Sequence, residues 1–403
     1  MHPAKTGALL CFPLLFLAAF AGCAGSETVL TGIDVLYRDD FAPLAGRRVA
    51  LISNQTGIDR NGNSTIRLLH DADNVDLVKI FSPEHGLQGT LDVPVVDDDV
   101  DSDTGIAVLS LYGEVRRPTA EMLDGIDTLV FDIQDIGARF YTYISTMGNA
   151  MHAAGEHGIR FVVLDRPNPI NGIDVAGPVL DDGKQSFVGF HRIPVRHGMT
   201  VGELAQLFRA ELAIDVELQV IEMRGWRRDD FFDATGLPWV NPSPNIRSLT
   251  AALLYPGVGL LETTNLSVGR GTDTPFEVIG APWLDGPALA NGLNRASLPG
   301  VSFAPLEFTP DASKFAGEPC SGVRLTITDR EAFDPLQTGL QIARQLALAY
   351  PDTWEIDALP RLLGNDATQR AIADSLPYAD ILAAYAPELA EFRKRRAQYL
   401  IYR

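Results

Sequence analysis

A carboxylate and an imidazole stand side by side at Glu84 and His85, within the stretch FSPEHGLQG. Such a pair can exchange protons with a substrate or hydrogen-bond its hydroxyl groups if it lies beside a binding cleft. The preceding stretch 75–81, VDLVKIF, is short and apolar, which predicts a buried strand. Ligand-binding residues collect at strand ends in open parallel α/β sheets. A turn that merely faces water is the alternative for one isolated strand end.

Three further apolar stretches, 48–52, 128–131 and 161–164, also run into polar side chains. Four strand ends of this kind favour one shared cleft over four unrelated turns. The substrate-binding residues that we expect there are Asn54, Gln55, His85, Asp132, Gln134, Arg139, Tyr141, Tyr143, Asp165 and Arg166.

Two segments of the second half are predicted to complete the cleft. WVNPSPNI at 239–246 is proline-rich and cannot continue a helix, so it should form an ordered loop. Segment 259–273 mixes charged groups with glycines, as a ligand-wrapping loop does, although an exposed linker is the alternative. These segments add further candidates: Asn241, Asn245, Glu262, Asn265 and Arg270.

The elements that must position these side chains alternate along the first half of the chain between short strands and helical segments. This alternation predicts an α/β fold with a parallel sheet. No Gly-x-Gly-x-x-Gly follows the first strand, so a dinucleotide cofactor is not expected. Later in the chain, Asp334-Pro335 should begin a helix, and 383–402 should form another.

The composition indicates a globular protein with a large core. The chain has 403 residues, of which 46% are hydrophobic and 21% charged, and two domains are the natural expectation. With 33 Lys and Arg against 52 Asp and Glu, the net charge of −19 argues against a nucleic-acid partner.

The N-terminus predicts an export signal in residues 1–23. Lys5 precedes the apolar stretch 8–20, which is too short to cross a bilayer comfortably. AGC at 21–23 resembles the junction of bacterial lipoproteins, in which the cysteine, here Cys23, is acylated. We therefore expect a periplasm-facing lipoprotein of the cell envelope that touches the membrane only through its lipid. Ordinary cleavage, giving a soluble periplasmic or secreted protein, is the alternative. If Cys23 is acylated, Cys320 has no disulfide partner.

Six motifs identify a family resemblance: FSPEHGLQG, FDIQDIGARFYTYISTM, LDRPNPING, HGMTVGELA, WVNPSPNI and SVGRGTDTPFEVIGAPW. In this order they resemble the NamZ family of exo-β-N-acetylmuramidases. The resemblance implies a Rossmann-like domain without a dinucleotide at 28–250, a smaller α+β domain at 251–403, and an active site between them. It also implies an enzyme that removes N-acetylmuramic acid from the non-reducing end of peptidoglycan fragments, without a cofactor or an obligate protein partner.

The chemistry of that reaction requires one carboxyl group that protonates the leaving oxygen and a second group that acts as nucleophile or base. Glu84 matches the family's glutamate in SPEHG, and partial burial after a strand would favour the protonated form that an acid needs. Glu262 is the leading second group, although the family often has Gly where this chain has Thr263. Asp132, Asp165 and the substrate's own acetamido group are the alternatives.

Substrate recognition would need a cation for the lactyl carboxylate of muramic acid and flat faces for its ring. Arg139, Arg166 or Arg270 could form a bidentate clamp. Aromatic faces are available at Tyr141, Tyr143 and Trp239.

Two other functions remain open at this stage. A non-catalytic muropeptide-binding lipoprotein could use the same cleft. A metal-dependent amidase or esterase could use histidines such as His85, His191 and His197 with Asp132 or Asp165, but their spacing matches no known ligand motif, so no metal is expected.

Overall fold

The computed structural model describes residues 1–4 and 28–403 of the chain. Cys23 and the predicted export signal therefore lie outside the described residues, apart from 1–4. The strands are β1 Arg48–Ser53, β2 Asp76–Ser82, β3 Asp99–Val100, β4 Ala107–Ser110, β5 Thr128–Asp132, β6 Arg160–Leu164, β7 Ala176–Val179, β8 Pro194–Arg196, β9 Leu218–Ile221, β10 Val278–Ala281, β11 Val301–Phe308 and β12 Cys320–Ile327. The helices are α1 Gly32–Arg38, α2 Thr65–His70, α3 Ala120–Leu123, α4 Tyr143–Glu156, α5 Val201–Glu211, α6 Leu249–Val258, α7 Gly286–Arg295, α8 Pro335–Ala349, α9 Pro360–Leu363, α10 Asp366–Ala373 and α11 Tyr378–Arg396.

A seven-stranded sheet in the order β3-β4-β2-β1-β5-β6-β9 forms the first half of the fold. Every neighbouring pair is parallel except β3 and β4, which pair antiparallel at one edge. The four strands predicted at 48–52, 75–81, 128–131 and 161–164 are confirmed as β1, β2, β5 and β6. The predicted α/β class is therefore confirmed.

Alternate residues of the central strands face opposite layers of helices. Val49 and Leu51 of β1 pack with α1 and α2 on one face, whereas Ala50 and Ile52 join the core that contains α4 and α5. Strands covered on both faces bury most of their residues, which explains the apolar runs in β1, β5 and β6.

The second half adds a three-stranded antiparallel sheet, β10-β12-β11, and the helices α6 to α11. Its apolar side chains join the same core as one face of the large sheet, so the two halves share buried contacts. The predicted boundary at residue 250 falls in the first turn of α6, and the division into two domains stays a prediction. None of the described helices is long and apolar enough to cross a membrane.

The helix that was predicted to begin at Asp334-Pro335 is confirmed as α8. The Asp334 carboxylate accepts hydrogen bonds from the amides of Leu336, at 2.8 Å, and Gln337, at 3.1 Å, which caps the helix. The helix predicted at 383–402 was placed too late, because α11 begins at Tyr378 and ends at Arg396. The residues after α11 return to the first half, where the Tyr402 hydroxyl donates to Asp165 at 2.6 Å.

Candidate active site

A cleft of about 850 Å³ lies between the two halves of the chain. Glu84 and His85 line it from the end of β2, and the segment 140–143 lines it from the connection after β5. Glu262 and Arg270 line it from the second half. The cleft therefore joins residues from both parts of the sequence, as predicted.

The turn at Glu84 is held in an unusual backbone conformation. His85 has a φ of 71°, in the left-handed region that few residues other than glycine adopt, and its Nδ1 donates to the carbonyl of Leu91 at 2.6 Å. Gly89 also has a positive φ, of 64°, and a Cβ there would overlap the side chain of Gln55. These features explain why a glutamate and a histidine are followed by glycines: the chain must turn sharply at the end of a strand.

Glu84 is half-buried and surrounded by hydroxyl groups. Its Oε2 accepts a hydrogen bond from the hydroxyl of Thr142. Burial, reinforced by the neighbouring Glu84 carboxylate, raises the pKa of Tyr112 above its ordinary value, so that phenol stays a hydrogen-bond donor. No cation forms an ion pair with Glu84 within the described residues. Its carboxyl group is thus available to a substrate.

Glu262 belongs to an ion-pair cluster on the facing side of the cleft. The Arg270 guanidinium pairs with Glu262 and also, at 2.5 Å, with Asp92 from the loop after β2. Burial opposes the charge on Arg270, but Glu262 and Asp92 outweigh it and raise the pKa of this guanidinium. Asp92 also accepts a hydrogen bond from Asn245 at 3.3 Å. The cluster links the two halves of the chain across the cleft.

Aromatic rings form the floor of the cleft. Tyr141 and Tyr143 meet edge to face with their centroids 4.9 Å apart, and Tyr255 lies 5.8 Å from Tyr141 and 4.7 Å from Phe276. The buried Tyr141 hydroxyl lies near Ser243 but makes no hydrogen bond of normal geometry with the described residues. Aromatic faces with a few polar groups suit a sugar ring. Trp239 does not line this cleft and packs on Phe232 instead.

Two of the predicted binding residues, Asp132 and Arg166, form a buried ion pair away from the cleft. Arg166 reaches from the end of β6 to Asp132 at the end of β5, with N···O distances of 2.5 and 2.9 Å. The Thr65 hydroxyl donates to the same carboxylate at 2.5 Å. Asp132 is completely buried, so neither a substrate contact nor a catalytic role follows from its position.

The amide side chains that follow β1 and β5 bind backbone groups and do not line the cleft. Asn54 accepts from the amide of Thr56, and Gln134 donates to the carbonyl of Pro167. Gln55 donates to the carbonyls of Asn241 and Pro242, at 2.8 and 3.2 Å. Loop 239–246 therefore packs against the residues that follow β1, and its second half lines the cleft.

Three further candidates hold distant segments together. Asp165 accepts hydrogen bonds from Thr200, the amide of Gly202 and Tyr402, and burial raises its pKa to about 7. Asn265 binds the backbone of Thr353. Arg139 is completely buried, and burial lowers its pKa to about 9. Its guanidinium donates to the carbonyls of Pro178, Ile193, Leu362 and Leu363.

Of the predicted substrate-binding residues, the structure places His85, Tyr141, Tyr143, Asn245 and Arg270 at the cleft together with both catalytic candidates. Sequence reasoning missed several residues that line it, among them Asp92, Tyr112, Arg116, Thr142 and Arg361. Thr142 stands inside the motif FDIQDIGARFYTYISTM and could have been chosen as a hydroxyl near the tyrosines. The others lie in stretches that match no motif, in loops or, for Arg361, on the short helix α9.

The histidines do not gather around a metal position. His191 pairs with Glu211 at 2.6 Å, and His197 faces Asp135 at 3.3 Å, while His85 lies at the cleft. Within residues 1–4 and 28–403, no group of three or more His, Cys, Asp or Glu side chains could hold a metal ion.

Comparison with known proteins gives the family. Residues 49–250 match the family described as exo-beta-N-acetylmuramidase NamZ, N-terminal, and residues 253–402 match its C-terminal counterpart. The chain is 44% identical over 383 residues to the peptidoglycan beta-N-acetylmuramidase NamZ of Bacillus subtilis (strain 168), which covers 94% of this chain and 92% of that protein.

Two crystal structures of DUF1343 family proteins from Bacteroides fragilis NCTC 9343 share the fold. One has a TM-score of 0.87 and 38% identity, covering 93% of this chain and 99% of that one. The other has a TM-score of 0.78 and 31% identity, covering 94% and 99%. The chain belongs to the NamZ family.

Proposed function

We propose that the protein is an exo-acting glycoside hydrolase that releases N-acetylmuramic acid from the non-reducing end of peptidoglycan fragments. The observation that carries this conclusion is that Glu84 and Glu262, from different halves of the chain, line one cleft together with aromatic rings. The 44% identity to a peptidoglycan beta-N-acetylmuramidase supplies the substrate class.

In this proposal Glu84 acts as the general acid. Glycosidic bond cleavage needs a proton on the leaving oxygen as the bond breaks. Glu84 lines the cleft, and the Thr142 hydroxyl that donates to its Oε2 fixes the orientation of the carboxyl group. The other carboxyl oxygen, Oε1, does not bind Thr142 and can carry the proton to the substrate.

Glu262 is the second group: it either forms the new bond to the anomeric carbon as nucleophile or activates, as base, the water that forms it, and its negative charge stabilises the positively charged, oxocarbenium-like transition state. Of the carboxyl groups proposed from the sequence for this second role, Asp132 and Asp165 are buried elsewhere, whereas Glu262 lines the cleft. Its pairing with Arg270 fixes the carboxylate in place. A fixed charge at the site of the developing cation stabilises the transition state without reorganisation.

The decisive experiment is incubation of the purified protein with a disaccharide of N-acetylmuramic acid β-linked to N-acetylglucosamine. The expected result is release of both free sugars, detected by mass spectrometry, with turnover unaffected by a chelator. Binding of the disaccharide without release would favour the muropeptide-binding alternative. Loss of turnover with chelator would favour a metal-dependent hydrolase.

We further propose that the mature protein is a lipoprotein of the cell envelope, facing the periplasm and anchored through acylated Cys23. The support is the AGC junction at 21–23 that follows a short apolar stretch. Changing Cys23→Ser should move the protein from the membrane fraction to the soluble fraction, because acylation requires the thiol. Fractionation and immunoblotting measure this. Membrane association that survives the change would reject the anchor, and a Cys320→Ser control should leave the distribution unaltered.

A further inference from the structure

Muramic acid differs from glucosamine by a lactyl ether that ends in a carboxylate. This inference rests on the proposed function, since it concerns how the cleft selects that sugar. The protein has a net charge of −19, so its overall field repels an anionic substrate. Local cations in the cleft must therefore provide the attraction.

Four cationic side chains line the cleft, and two of them already have carboxylate partners. Arg270 is bound by Glu262 and Asp92. Lys184 is bound by Asp366. Arg116 and Arg361 line the same cleft, are exposed, and form no ion pair with any described residue. Their guanidinium groups are therefore available to pair with an anionic group of a substrate.

Two aromatic rings hold Arg116, and one of them, Tyr112, lies next to Glu84. The Arg116 guanidinium lies over the ring of Phe187, 4.5 Å from the centroid, and 5.7 Å from that of Tyr112. The Tyr112 hydroxyl neighbours Glu84. Its backbone is held as well, since the Arg116 carbonyl accepts a hydrogen bond from Asn149 at 3.0 Å. Stacking orients the flat guanidinium while leaving its edge free for a carboxylate.

Arg361 is positioned by the buried Arg139. It lies on the short helix α9, whose last carbonyls, those of Leu362 and Leu363, accept hydrogen bonds from Arg139 at 2.7 and 2.8 Å. Arg139 also binds the carbonyls of Pro178 and Ile193 in the first half of the chain. The arginine expected to bind substrate instead ties the segment that carries Arg361 against the opposite half of the cleft.

Arg116 and the helix that carries Arg361 both connect to the chain around one short segment of the cleft wall. Phe187, whose ring lies against the Arg116 guanidinium, belongs to the segment 184–188. Three residues before that segment, the amide of Asp181 donates to the carbonyl of Gly364, directly after α9, at 2.8 Å. We propose that Arg116 and Arg361 bind the lactyl carboxylate of muramic acid and are the residues that select it over N-acetylglucosamine.

The test compares two nitrophenyl β-glycosides, that of N-acetylmuramic acid and its lactyl carboxamide, which differ in charge but hardly in shape. For Arg116→Ala and Arg361→Ala we expect kcat/KM on the carboxylate substrate to fall roughly 10- to 100-fold, as for loss of a charged hydrogen bond. The carboxamide should change by less than about threefold. Arg116→Lys, which retains charge, should recover part of the loss on the carboxylate alone.

Arg295→Ala is the matched control, because Arg295 is an exposed arginine on α7 outside the cleft. It should leave both rates unchanged. Equal losses on the two substrates, or no loss on either, would overturn the proposal. If an alanine variant folds poorly, the affinity of Arg116→Lys for free N-acetylmuramic acid, measured by calorimetry, decides instead. If the unaltered enzyme hydrolyses neither substrate, the proposed function itself fails, which is a different result from an unselective but active enzyme.

Discussion

Glu84→Gln should lower turnover of a muramic acid disaccharide by roughly two to four orders of magnitude. The amide keeps the shape of the side chain and can still accept the hydrogen bond from Thr142, so the turn should stay folded. It cannot transfer a proton to the leaving oxygen. Steady-state kinetics on the disaccharide, with folding checked by circular dichroism, measure the loss.

A nitrophenyl glycoside separates the acid from its partner. Nitrophenolate leaves with little protonation, so Glu84→Gln should harm its release much less than it harms the disaccharide. Glu262→Gln should slow both substrates, because it removes the negative charge that stabilises the transition state whatever the leaving group. His85→Ala should cost less than Glu84→Gln on the disaccharide, since its ring binds the carbonyl of Leu91 and supports the turn.

Glu222→Gln provides the control for a general effect of charge removal. Glu222 also directly follows a parallel strand, β9, but is exposed and does not line the cleft. Its replacement should leave both rates unchanged. Near-normal turnover of the disaccharide by a folded Glu84→Gln variant would remove Glu84 from catalysis and leave FSPEHGLQG as a binding loop.

The large sheet could be predicted from the sequence because its strands are buried on both faces. A strand such as β5, with all five residues buried, has an apolar centre, Leu129-Val130-Phe131, and that leaves a clear signal in a short stretch. The position of Glu84 followed from the same signal, since it needed only the end of β2. Local sequence is sufficient to predict a feature that depends only on neighbouring residues, such as a buried strand and its end.

The partners of the other strand ends were not predictable in this way. Arg166 and Asp132 are 34 positions apart in the sequence. Gln55 binds the carbonyls of Asn241 and Pro242, which are 186 and 187 positions away. Whether a polar side chain at a strand end binds substrate or another buried group depends on these long-range contacts. A position at a strand end therefore does not distinguish residues that bind substrate from residues that hold the fold together.

The same limit explains the arginines. Arg139 lies inside a recognisable motif and was chosen as a substrate clamp, yet it is buried among four carbonyl groups. Arg116 and Arg361 lie in stretches without a motif and become neighbours of the cleft only through the fold. The exposure of an arginine and its ion pairs distinguish a cation that can bind substrate from one that supports the fold. The spacing of residues in the sequence predicts neither property.

Asp132→Asn should destabilise the protein by about 3–5 kcal/mol, because it leaves the Arg166 charge buried without a compensating carboxylate. The pair is almost fully enclosed, with side-chain exposures of 6% for Arg166 and 0% for Asp132. Since Asp132 does not line the cleft, the folded variant should keep kcat/KM within about threefold, a change too small for loss of a direct charged contact. Chemical denaturation gives the free energy of unfolding, and kinetics at low temperature give the activity.

Asp71→Asn is the matched control. It breaks an exposed ion pair with Arg67, which solvent screens, so it should lower the free energy of unfolding far less. A variant with unchanged stability and lost activity would return Asp132 to the substrate-binding residues, because only a direct contact with substrate would then account for the loss.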